Sequence, residues 1–107
     1  VYIMGGGRNE IENAINYVAS SIVGMVCDGA KYGCVLKAIA AASTAYEAAI
    51  FALEGIQPPP DGVVEGKADD TLRNLGEISR AMVAVDDVVV HLIHRRGERL
   101  RKGMRGR

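Results

Sequence analysis

At 107 residues the chain has room for one domain and a single core. It is 49% hydrophobic but holds only four Tyr, one Phe and no Trp, so a core must be packed from Ala, Val, Ile and Leu. Two cysteines permit at most one disulfide, and no secretory leader opens the sequence, which together point to a reducing, cytoplasmic compartment. No uninterrupted apolar run approaches the roughly 18 residues that cross a bilayer, so a membrane partner is not expected.

The formal charge of zero conceals an asymmetry. Residues 95–107 carry Arg95, Arg96, Arg99, Arg101, Lys102, Arg105 and Arg107 against Glu98 alone, a local +6, which leaves −6 on residues 1–94. A basic tail on an acidic body suits contact with nucleic acid or an anionic surface. It also suits the C-terminal end of a helix, where cations meet the negative end of the dipole. The tail lacks aromatics for base stacking and any nucleic-acid motif, so the second reading is favoured.

The opening VYIMGGG is apolar and uncapped, which reads as the end of an element begun upstream, with Gly5 to Gly7 forming a turn. A chain starting this way is expected to be a C-terminal fragment. Next, Ile11, Ala14, Ile15, Val18, Ala19, Ile22 and Val23 recur at i, i+3, i+4 and i+7 without a miss, predicting an amphipathic helix. Asn9 is the expected cap, with Glu12 reaching back three residues later, and Gly24 the stop.

After a cysteine-containing stretch, CVLKAIAAASTAYEAAIFALEG predicts a second helix, apolar around most of its girth and hence expected to be buried on several sides. Gly55 should end it, and Pro58 to Pro60 begin a stiff connector reaching about Lys67. ADDTLRNLGEISRAM predicts a third helix, capped by Asp69 or Asp70, with Leu72, Leu75, Ile78 and Met82 on one face. The pattern falters at Val83–Val85, and Asp86 should cap a fresh helix carrying Val89, Val90 and Ile93 into the basic tail. VDDVVVHLI is the one credible strand, but its acidic start and basic finish favour helix. The expected architecture is a single all-α domain over residues 1–107: a bundle-like packing of four or five helices with no substantial sheet.

Chemistry concentrates in GMVCDGAKYGC, residues 24–34. Cys27 falls just after one helix and Cys34 near the start of the next, with Gly29 and Gly33 supplying backbone freedom between them. A helix N-terminus favours thiolates and anions, so the pair could hold a metal or a cluster. The C-x6-C spacing is not that of a zinc site, and buried free cysteines also serve as small hydrophobes. Asp28 and Lys31 read as a local ion pair or as substrate contacts. His91 and His94 have acceptable metal spacing but sit among arginines at a helix end, where an exposed role is favoured.

The stretch from EIENAINYVASS through GMVCDGAKYGCVLK, followed by TLRNLGEI and VDDVVVHLI, resembles the C-terminal part of the serine dehydratase alpha-chain-like proteins. It is most similar to the L-cysteine desulfidase branch, which shares G-M-[IV]-C-D-G-A-K-x-x-C-x-x-K, and the likeness runs from Ile3 to about Ile93. The resemblance implies an iron–sulfur lyase in which a 4Fe–4S cluster, held by three cysteines, eliminates water or sulfide and ammonia from L-serine or L-cysteine to give pyruvate. Carried over residue by residue, it makes Cys27 and Cys34 cluster ligands; the matching residues between them then read as room beside the cluster for Gly29 and Ala30, a polar support or substrate contact for Asp28 and a partner for a carboxylate for Lys31, the last two being the catalytic candidates. Lys37 matches the motif's last lysine without an implied role.

Two cysteines are one short of that ligand set, so the resemblance places the third upstream of Val1 and implies that this polypeptide alone is inactive. Association with the missing segment, or with a second copy, would cover the apolar helix. The competing readings are a non-enzymatic helical interaction module with core cysteines, and a helical protein that binds nucleic acid through its tail.

Overall fold

In the computed structural model, which describes residues 1–29 and 31–106, a 3-10 turn at Tyr2–Met4 leads into four helices: α1 Arg8–Ile22, α2 Cys34–Leu53, α3 Ala68–Ala81 and α4 Val83–Arg105. There is no strand among the described residues, and the Val-rich segment lies wholly within α4. The all-α, bundle-like expectation holds.

Helices α1 and α2 pack through small residues. Ala14 meets Ala48 and Ala52, with Val1, Tyr17 and Val18 around them, and Ala48 is 0% exposed. Alanine lets two backbones approach closely, and the larger groups fill in at the side of the seam. There the Tyr17 and Phe51 rings meet edge to face at 5.3 Å, and the Tyr17 hydroxyl donates to the Glu47 carboxylate.

The Glu47 contact raises the Tyr17 pKa above 10.0, first through the hydrogen bond, then through burial and the carboxylate's charge. A folded-state pKa lifted above the unfolded value means a stabilising contribution that is complete below pH 10.0 and disappears as the phenol ionises at higher pH. The tyrosinate absorbance lost in Tyr17→Phe should therefore titrate above the ordinary range, and Glu47→Gln should bring it back down. An ordinary Tyr17 titration in the unmutated protein would count against the bond.

Helix α2 ends where the sequence predicts. Gly55 takes φ +78, the Gly55 N–H donates to Ala52 O at 3.1 Å and the Ile56 N–H to Phe51 O at 2.9 Å, closing a Schellman turn. Helix beginnings differ from expectation. The N-cap of α1 is Gly7, whose N–H donates to Glu10 Oε2 at 2.9 Å, in place of Asn9 with Glu12. Glu12 instead crosses to α3, where its Oε1 accepts the Ala68 N–H at 2.9 Å. That carboxylate takes up a free amide at the positive end of α3, the position assigned from sequence to Asp69 or Asp70. Those two lie inside the first turn, and Asp70 pairs with Arg73 at 2.8 Å.

The connector after α2 is strapped down by side chains. Asn16 of α1 donates to Glu65 O at 3.2 Å, Asn74 of α3 donates to Val63 O at 3.1 Å, and the Glu65 N–H donates to Thr71 Oγ1 at 2.9 Å. Thr71 is fully buried and also donates to Lys67 O. Such partners take up peptide groups that the irregular backbone of the connector leaves without helical bonds. Helix α4 starts at Val83, three residues before the expected Asp86 cap, and Met82 ends α3 and begins α4 with no loop between.

The expected apolar face of α3 is present but open, and the expectation that α2 is buried on several sides is corrected. Leu72, Leu75, Ile78 and Met82 line an open groove of about 800 Å3 together with Ile11 and Ile15 of α1, and Leu72 is 51% exposed. Helix α2 buries only Ala48, Ala49 and Ala52, leaving Val35, Leu36, Ile39 and Tyr46 exposed. The hydrophobic pattern marks these faces correctly, but this chain does not supply what would cover them. By length and composition α2 is also long and apolar enough to cross a membrane, which the sequence reading missed because Lys37, Ser43, Thr44 and Glu47 break up its apolar run.

The outline is long, 62 × 27 × 16 Å, with a radius of gyration of 18.7 Å against about 13 Å for a compact domain of this size. Helices α1, α2 and α3 make the bundle. The second half of α4 extends from it with its basic residues exposed.

Candidate functional site

The residues between α1 and α2 form a turn whose ends are pinned by backbone bonds. The Met25 N–H donates to Ile22 O at 3.0 Å, and the Cys34 N–H donates to Lys31 O at 3.0 Å, so the chain is already coiling before α2 begins. Cys34 is the first residue of α2 and is half-buried, and its thiol donates to Gly29 O at 3.3 Å. Cys27 is exposed and, with Met25 and Val26, lines the apolar groove. Both thiols are free.

Gly29 takes φ +104, a conformation L side chains rarely adopt, and a Cβ there would lie 2.7 Å from Ile93 Cδ1 of α4. Gly33 sits at φ −62 and needs no such freedom, so only one of the two glycines acts as the sequence suggested. Gly29→Ala should lower unfolding free energy by about 1–2 kcal/mol, measured by urea denaturation. Gly24→Ala, which meets nothing within 4 Å, should change it by less than about 0.5 kcal/mol. Equal effects at the two positions would refute the backbone argument. Ala30, read from sequence as room beside a cluster, lies outside the described residues.

Asp28 is the electrostatic centre of the turn. One of its oxygens accepts from the Lys31 ammonium and the other from the Lys37 ammonium, so a single carboxylate bridges the turn to the second helical turn of α2. The Lys31 contact, then that of Lys37, holds the Asp28 carboxyl well below the usual carboxylate range. An anion held so low is a poor proton acceptor near neutral pH. Its chemistry is to orient cations. The Lys37 pKa is raised, chiefly by the bond to Asp28.

The sequence noted Lys37 but gave it no role. Spacing places Lys37 three residues after Cys34 and thus one turn into α2, but it does not show that the turn folds back onto that side. His91 and His94 are exposed on α4. Among the described residues no three His, Cys, Asp or Glu side chains come together as a metal-binding group. A 4Fe–4S cluster held by three thiolates therefore does not fit on this chain alone, which offers two.

The family model for the serine dehydratase alpha chain matches residues 1–91, a span that includes the whole turn with Cys27, Asp28, Lys31, Cys34 and Lys37. The chain belongs to the serine dehydratase alpha-chain family. A UPF0597 protein of Desulfatibacillum aliphaticivorans is 38% identical to it over 94 residues, covering 86% of this chain and 21% of that protein. Another, from Caldanaerobacter subterraneus, is 38% identical over 94 residues, with 86% and 22% covered. A UPF0597 protein of Clostridioides difficile is 36% identical over 95 residues, with 87% and 22% covered. This serine dehydratase-like chain thus spans about a fifth of the length of the relatives it matches. No solved structure matches it. The family match stops within α4, before the basic stretch at 95–107.

Proposed function

We propose that this chain is the segment of an iron–sulfur-dependent lyase that contributes two cluster thiolates, Cys27 and Cys34, and two charged substrate contacts, Asp28 and Lys31. The reaction is elimination of water or sulfide from L-serine or L-cysteine to an enamine, whose imine tautomer water then hydrolyses to pyruvate and ammonia. The observation that carries this reading is the turn itself. Two free thiols flank a carboxylate that bridges two ammonium groups, all within the α1–α2 connection and the start of α2, inside the family match.

The chain's own residues would do three things. Cys27 and Cys34 supply soft anionic ligands, with the third expected from the remainder of a full-length protein. Lys31 presents positive charge to a carboxylate, and Asp28 presents negative charge to an ammonium. Gly29 keeps the backbone between the thiols free of side-chain bulk. When bound, the cluster would supply a Lewis acid for the leaving group.

The test is analysis of full-length protein purified without oxygen. Iron and acid-labile sulfide should be present, and pyruvate should form from L-serine or L-cysteine and cease on exposure to air. Anaerobic protein free of iron, with no pyruvate formed from either amino acid, would reject the proposal.

A further inference from the structure

The Asp28 cluster has a feature that a structural ion pair does not need. Its two carboxylate oxygens go to two different lysines, one in the turn and one in α2, so the cluster carries a net +1 at the mouth of the turn. The first turn of α2 holds no acidic residue, and Asp28 is the one carboxylate within ion-pair distance of either ammonium among the described residues. All three side chains are partly open to solvent, at 51% for Lys31, 43% for Asp28 and 34% for Lys37. Pairs this exposed are weak, so an incoming anion can replace the resident one at small cost.

We infer that Lys31 and Lys37 form a carboxylate-binding pair, that Asp28 is its resident occupant, and that the carboxylate of an α-amino acid takes its place. Lys37 is thereby a further substrate-positioning residue. This deepens the lyase reading and rests on it for the identity of the amino acid. The exchange conserves charge, because one carboxylate leaves the two ammonium groups as another arrives. An α-amino acid also brings an ammonium, and the released Asp28 is the nearby anion that receives it. A simple carboxylate gives only the first half of this exchange, so an amino-acid zwitterion is the better ligand. Asp28 directly follows Cys27 and Lys37 lies one turn after Cys34 in α2, so a carboxylate seated on the lysine pair enters the same connection that bears the thiols.

The experiment uses full-length protein with its lysines reductively methylated with carbon-13, which keeps their charge, and NMR titration with sodium acetate at constant ionic strength. Acetamide is the uncharged control. Acetate should shift the Lys31 and Lys37 signals saturably and acetamide should not. Asp28→Asn, which removes the competitor, should bind acetate about fivefold more tightly, the equivalent of about 1 kcal/mol. Lys37→Met should lose the saturable shift at Lys31. Weaker or unchanged acetate binding in Asp28→Asn would overturn the inference, as would an equal response to acetamide.

In turnover assays Lys37→Met should raise KM for the amino acid about tenfold or more with kcat within about threefold, and Lys37→Arg should restore most of the loss. A fall in kcat at unchanged KM would also overturn the inference. An unmutated protein that binds acetate in this way but forms no pyruvate would reject the lyase reading and leave the carboxylate pair standing.

Discussion

Cys27→Ser in the full-length protein is expected to abolish iron binding and pyruvate formation while leaving the helical circular dichroism intact. Iron in a cluster demands thiolate, and a serine hydroxyl is a hard donor that stays protonated near neutral pH. The structural cost should be small because Cys27 is exposed where it lines the groove. Exposed substitutions of this kind usually shift stability by less than about 0.5 kcal/mol. Cys34→Ser should behave likewise, since a hydroxyl can still donate to Gly29 O. Lys67→Ala is the control. Lys67 acts through its carbonyl, which accepts from the Thr71 hydroxyl, so trimming its side chain should leave iron and activity unchanged. A Cys27→Ser protein with full iron content would remove Cys27 from the ligand set.

Ala48→Leu should produce the largest loss of stability of any single substitution suggested by this fold, about 3 kcal/mol. Ala48 is completely buried against Ala14 and Ala52, and there is nowhere for three further carbons to go without separating α1 from α2. The loss should lower Tm by more than about 10 °C, because about 1 kcal/mol corresponds to several degrees in a domain of this size. Ala40→Leu, on the exposed side of the same helix, should change little. If both variants melt alike, the alanine seam is not what joins the helices. The comparison keeps helix propensity constant, since both place leucine in the middle of α2.

The helices were legible because their signals are local. Seven apolar positions at helical spacing mark α1, Gly55 and the prolines mark the end of α2, and charges at either end of the Val-rich segment settle it as helix. The positions of Cys27 and Cys34 followed directly, since a turn between two predicted helices is fixed by where they stop and start. What could not be read was whatever depends on residues distant in sequence. Glu12 suits a capping box by spacing, but the Ala68 amide lies nearer to it in space, 56 residues away. Asp69 and Asp70 are good caps in isolation, yet the helix begins one residue before them. The apolar face of α3 was correctly identified as apolar. Its exposure in a groove could not be foreseen, because periodicity shows which side seeks burial and not whether a neighbour is present. The role of Lys37 was hidden for a related reason, since pairing it with Asp28 requires knowing how the turn folds back over α2.

The bond from Glu12 to Ala68 also has a consequence for the order of assembly. Contacts between α1 and α2 close a short loop, since Tyr17 and Glu47 are 30 residues apart, whereas joining α1 to α3 through Glu12 spans 56. Loop-closure entropy rises with span, so the α1–α2 hairpin should form first and α3 should dock onto it afterwards. The thiol-bearing turn belongs to that early hairpin. It would therefore take shape before α3 is in place, giving the two sulfurs their spacing while the groove beside them is still open.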